Sequence, residues 1–240
     1  MITYDQCNAI MEKYNENISY GFYVNFDAEF VINPDKKMIS ASIIKLYILY
    51  YILKMNFNIK KIHSSEIIKT EDSLLNFMDA DINMDFLISM MIDESDNAAS
   101  NFFIDKIGIF KLNSFIKNNG FKNTVLERKF LDYEAIKNGK NNYTSVNDIK
   151  KLFYDVLHSD YEKDFMKFLY MQKDKSKSAF YLNNIRTAGK TGELYNALND
   201  VILYAKGDKN VLSIVFINNV PDIIARDFIT SMSYYLYNKL

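Results

Sequence analysis

At 240 residues, with 49% hydrophobic and 25% charged side chains, the chain is long enough for one large domain or two interleaved lobes without a covalent staple. A formal net charge of −1 argues against nucleic acid or an anionic membrane surface as the partner. The single cysteine, Cys7, excludes an internal disulfide and a cysteine metal cluster, and His63 and His158 lack ligand-like spacing, so neither metal nor cofactor is expected.

The N-terminus, "MITYDQCNAIMEKYN", has no basic start and no apolar run. As written it carries no signal peptide, and a cytoplasmic protein is expected, or a secreted or cell-surface one if a leader has been removed. "TYDQCNAIMEKYN" has helical spacing, and "ISYGFYVNF" and "AEFVIN" then read as strands around an Asp27-Ala28 turn. The apolar run around "LYILYYIL" is too short to span a bilayer. From about residue 41 to 182 the pattern is helical: "MDFLISMMID", "AASNFFIDKIG", "IFKLNSFIKNNG" and "SVNDIKKLFYDVLH" repeat apolar residues at three and four. Ser145 and Asp148 at the head of the last resemble a capping box. "RTAGKTGEL", "DVILYAK" and "VLSIVFINN" read as strands, the last two joined by "GDKN", before a final helix with Pro221 near its first position. The fold class is therefore α/β (α+β). Residues 1–40 and 183–240 build one antiparallel sheet flanked by the terminal helices, 41–182 form an inserted all-helical lobe, and a cleft lies between.

Three short stretches carry chemistry. In "ISASIIKLYILY", Lys45 is the only charge in an apolar helix and stands three residues after Ser42, on the same face. A lysine of lowered pKa can activate a serine; a helix cap followed by a snorkelling lysine is the plain alternative. In "ESDNAAS", a tight turn would aim Ser95 and Asn97 the same way, although Ser95 or Asp96 could simply cap a helix. In "AGKTGELYN", Lys190 and Thr191 offer a cation and a hydroxyl to an anionic group, and Gly192 lets a ligand approach the strand closely; a solvated strand face is the alternative.

Together, S-x-x-K, S-D-N and K-T-G in that order form the motif set of serine β-lactamases and penicillin-binding proteins. Across nearly its whole length the chain resembles that superfamily, and its class A β-lactamase-like branch most. The resemblance implies roles. Ser42 is the acylated nucleophile and Lys45 its base or relay. Ser95 passes the proton to the leaving nitrogen, and Asn97 binds the substrate's side-chain amide. Lys190 and Thr191 hold the carboxylate, and the backbone N–H groups of Ser42 and Glu193 form the oxyanion hole. Lys45 is expected to find Ser95 and Asn97 as hydrogen-bond partners. The implied partner is a small-molecule β-lactam or peptide substrate, with no nucleic acid, no membrane span and a monomeric chain.

The resemblance breaks in "LERKFLDYEAIKNGKNNYTS". Class A enzymes place a glutamate two residues after an arginine, with an asparagine four residues on, to activate the water that frees the acyl-enzyme. Here Phe130 stands two residues after Arg128. Glu134, with Asn138 four residues later, and Asp132 are the possible deacylation bases; the alternative is that both pair with Arg128 or Lys129 at the surface. Three readings follow: a hydrolase of low β-lactam turnover, a D,D-peptidase or amidase, or a domain that is acylated and stays so.

Overall fold

The computed structural model describes residues 1–240. Helix α1 (Tyr4–Lys13) opens on a reciprocal capping box between Thr3 and Gln6. Strands β1 (Ile18–Val24) and β2 (Asp27–Ile32) are joined by Asn25 and Phe26, at φ 50° and 68°. The turn is therefore two residues earlier than expected, and Asp27 and Ala28 belong to β2. Asn25 tolerates the left-handed backbone and fixes it by exchanging bonds with Asn210.

Next come β3 (Met38–Ile39), a tight turn over Ala41–Ile44, and α2 (Lys45–Lys54). Every residue of α2 from Lys45 to Ile52 is buried, as an all-round apolar helix requires. The lobe continues with β4 (Ile62–His63), β5 (Asp81–Ile82), α3 (Met84–Ile92), α4 (Asn97–Ile107), α5 (Ile109–Asn118), α6 (Tyr133–Lys137), β6 (Tyr143–Thr144), α7 (Val146–Leu157) and α8 (Glu162–Leu169). It is not wholly helical, because β4 pairs with β5 and β6 reaches back to β3. Ser145 caps α7 by accepting from Asp148 N at 3.2 Å, but Asp148 does not reciprocate. Its carboxylate instead accepts from the Lys122 and Asn123 N–H groups and the Thr124 hydroxyl, tying α7 to the preceding loop.

Strands β7 (Thr187–Leu194), β8 (Ala197–Lys206) and β9 (Lys209–Asn218) and helix α9 (Asp222–Lys239) complete the chain. The sheet has the order β2-β1-β9-β8-β7 and is antiparallel throughout, so it draws on both chain ends. One face, with Tyr20, Phe22 and Val215, packs on Phe228 and Met232 of α9. The other, with Tyr23, Val201 and Ile214, joins the core of the helical lobe. No helix is long and apolar enough to cross a membrane. Strand β7 is an edge strand, and its last residues lie against the turn that starts α2.

Candidate active site

Ser42 sits half-buried in the turn leading into α2, one helical turn before the fully buried Lys45. A Cβ added to Gly192 would stand 3.0 Å from Ser40 O and Ser42 N and 3.1 Å from Ile43 Cγ1. Only glycine lets β7 come this close, which places the backbone next to Glu193 alongside the Ser42 N–H.

The Ser95 loop links α3 to α4. Ser95 is left-handed, with φ 55°, and Asp96 caps α4 by accepting from Ala99 N. The cap and the functional turn are therefore compatible: Asp96 holds the helix while its neighbours on either side turn inward. Lys45 Nζ donates to the Ser95 backbone carbonyl, to Ser95 Oγ at 3.2 Å and to Asn97 Oδ1 at 2.9 Å. From the far side, Lys190 Nζ lies 3.1 Å from the same Ser95 Oγ and 2.9 Å from Thr191 O. One hydroxyl thus bridges two buried amines.

Burial, then the neighbouring Lys190 charge, holds Lys45 well below the usual lysine range, against the pull of Asp96 and Asp72. Lys190 is brought down to about 7 by burial and by the Lys177 ammonium, with Asp200, Asp174 and Asp93 opposing. A neutral Lys45 can donate to the Ser95 carbonyl and Asn97 and still keep a lone pair for a hydroxyl proton. None of its three bonds goes to Ser42, so that hydroxyl is unencumbered. Arginine at position 45 could neither fit the same three acceptors nor release a proton. Lys45→Arg is therefore expected to slow acylation by about 10²-fold or more, read by stopped-flow or quenched mass spectrometry. A rate within threefold of the original would remove Lys45 from proton transfer.

Above this floor opens a cleft of about 460 Å³ whose eleven lining residues are all polar, among them Ser42, Ser95, Asn97, Thr191 and Glu193. Seven residues singled out from the motifs, Ser42, Lys45, Ser95, Asn97, Lys190, Thr191 and Glu193, therefore converge on one place. The sequence reading missed several others. Asp72 accepts from Asn97 Nδ2 at 2.7 Å. Lys177, fully buried, and Arg226 bind the two Glu193 carboxylate oxygens at 2.6 and 3.0 Å. Nothing in a lone lysine between serines signals the former.

Residues 3–240 match the beta-lactamase enzyme family. The chain belongs to that family. No curated protein matches it significantly. Among solved structures it is similar to a β-lactamase from Sphaerobacter thermophilus DSM 20745 (20% identity, 99% of this chain and 98% of that one, TM-score 0.82). It is similar also to a class A β-lactamase from Bacteroides cellulosilyticus DSM 14838 (18% identity, 98% and 95%, TM-score 0.82) and to PBP-A (19% identity, 99% and 97%, TM-score 0.78). At these identities the likeness concerns the fold.

The β-lactamase-family frame makes the 126–145 loop the point of departure. Phe130 is 8% exposed, and its ring centroid lies 4.4 Å from Lys45 Nζ. The ring covers Lys45, and its face favours the ammonium form that the lysine takes on when it accepts a proton. Its backbone is clamped by Asn101, which accepts from Phe130 N at 2.9 Å and donates to Phe130 O at 3.1 Å. Arg128 does not pair with the loop carboxylates. Its guanidinium binds Asn141 Oδ1 and the Lys129 carbonyl, and Lys129 binds Asp105. The asparagines at 141 and 142 supply local acceptors that cost less to bury than a carboxylate, and Asn142 takes the Glu127 and Arg128 N–H groups as well. Asp132 caps α6 through Ala135 N, and Glu134 is exposed; neither lines the cleft.

Proposed function

We propose that this family member is a serine hydrolase that opens a β-lactam or a related amide through an acyl ester on Ser42 and releases it slowly. The carrying observation is the Lys45–Ser95–Lys190 bridge beside a free Ser42 hydroxyl. Ser42 Oγ attacks the carbonyl carbon and its proton passes to Lys45. The oxyanion is met by the Ser42 and Glu193 N–H groups. Ser95 then hands a proton to the nitrogen as the C–N bond breaks, drawing on Lys45 behind it. Release needs a water with its own base, and the loop carboxylates stand outside the cleft while Phe130 covers Lys45. Intact-mass spectrometry with a penicillin over time tests this directly. A penicilloyl adduct that forms and persists for minutes is expected; absence of any adduct, or turnover at several per second, would reject it.

The two lysines also set a pH profile. Lys190 must be charged to hold a substrate carboxylate, and it loses that charge as pH rises through about 7. The acylation efficiency, which reports the free enzyme, is therefore expected to fall on the alkaline side, approaching about tenfold per pH unit. Lys190→Arg keeps the cation and should remove this limb. A profile flat from pH 6 to 9 with an anionic substrate would contradict the assignment.

A further inference from the structure

Five carboxylates reach the cleft: Asp72, Asp93, Glu94, Asp174 and Glu193. Four are matched. Asp72 accepts from Asn97 and Thr70, Asp174 and Glu193 pair with Lys177, and Glu94 pairs with Lys173. Asp93 is the exception. Its side chain is only 6% exposed, its Oδ2 lies 3.4 Å from Lys173 Nζ, and its Oδ1 is buried with no hydrogen-bond partner. A buried, unsatisfied carboxylate oxygen is costly, and burial accordingly raises the Asp93 pKa. The one ammonium within ion-pair distance of Asp93 belongs to Lys173, which is 72% exposed and reaches the pair from the surface, while the Lys190 charge attracts Asp93 from farther off. It is a movable occupant of a place that takes a cation.

The position of this place gives it a use. Asp93 and Glu94 directly precede Ser95, the hydroxyl held between Lys45 and Lys190. Asp72, by contrast, is tied to Asn97, which the acyl half of a substrate would meet. We propose that Asp93 and Glu94 form a subsite for a protonated amine on the leaving-group half of the substrate, which displaces the Lys173 ammonium. With Lys190 and Thr191 taking a carboxylate, the leaving half that fits is a basic amino acid of the lysine or ornithine type. This rests on the reading of Ser42 and Ser95 given above. An ammonium that takes the place of Lys173 and also reaches Asp93 Oδ1 gives that oxygen the donor it lacks, which Lys173, held at Oδ2 from the rim, does not supply.

Calorimetric titration of the whole protein with lysine and with norleucine, each in both enantiomers, tests the subsite without requiring turnover. The two ligands differ by the ammonium alone. One enantiomer of lysine is expected to bind at least about tenfold tighter than norleucine, and Asp93→Asn should erase that preference. Lys173→Met, an exposed change that leaves the core intact, should tighten lysine several-fold by removing the resident ammonium. Equal binding of lysine and norleucine, a preference that survives Asp93→Asn, or unchanged lysine affinity in Lys173→Met would each overturn the subsite. If Asp93→Asn does not fold, the wild-type and Lys173→Met titrations decide. Penicillin acylation reports the parent reading separately. A lysine preference without a penicillin adduct would sink the acyl-enzyme and leave the subsite standing, and an adduct without the preference would do the reverse.

Discussion

Ser42→Ala is expected to abolish covalent labelling by a penicillin or a fluorophosphonate, a loss on the order of 10⁴-fold or more, as removal of a nucleophile gives elsewhere. Three serines, Ser40, Ser42 and Ser95, lie in the two segments that meet at the amines, and the structure separates them. Ser40 is fully buried, and its hydroxyl is turned to the Ala41 carbonyl. The Ser95 hydroxyl is shared by Lys45 and Lys190. Ser42 alone faces the cleft with a hydroxyl free of bonds, beside the backbone that Gly192 brings within reach. Because that hydroxyl makes no structural bond, alanine should change stability by no more than about 0.5 kcal/mol. Loss of labelling with an unchanged melting temperature therefore reports chemistry and not collapse. Peptide mapping of the wild-type adduct adds a second check: a label on Ser95 would move the nucleophile there and reverse the roles.

Much of this site was legible because its chemistry needs fixed residue types at fixed local spacing. Ser42 and Lys45 share a helix face whatever the tertiary fold, and Asn97 lies two residues from Ser95 across one turn. What joined the three motifs was their order along the chain, together with strands at both ends that close into one sheet. Elements without a local signal were missed. Two-residue strands such as β3 and β6 have no alternation to read, since their pairing is decided by distant partners. The hairpin turn at Asn25 and Phe26 was misplaced because phenylalanine rarely adopts a left-handed backbone. Charge alone offers Arg128 the loop carboxylates as partners, whereas Asn141 lies within reach and is the cheaper group to bury. The acidic pair Asp93-Glu94 stood in plain view before the S-D-N motif, but nothing in the sequence shows which carboxylate oxygen is left without a donor.

Phe130→Glu is expected to speed release of the penicilloyl group by about 10²-fold or more, the usual contribution of a positioned general base. Asn101 clamps both the N–H and the carbonyl of residue 130, and neither bond involves the ring. A new side chain at this position therefore leaves in the same direction, toward Lys45 Nζ, which lies 4.4 Å from the present ring centroid. A carboxylate there draws Lys45 toward its ammonium form and replaces the ring contact with an ion pair. It also opens the dry contact over Lys45 to a water that the carboxylate can hold and deprotonate. Exchanging a buried aromatic ring should cost about 3 kcal/mol of stability, offset in part by that pair. Neither Glu134→Gln nor Asp132→Asn should alter release in the wild-type background, because Glu134 is exposed and Asp132 is engaged in capping α6. The measurement is the decay of the acyl-enzyme mass after excess penicillin is removed. Slowing of decay by either loop substitution would show that the loop moves to supply the base. A folded Phe130→Glu protein that empties no faster than wild type would show that the ring at position 130 does not limit release.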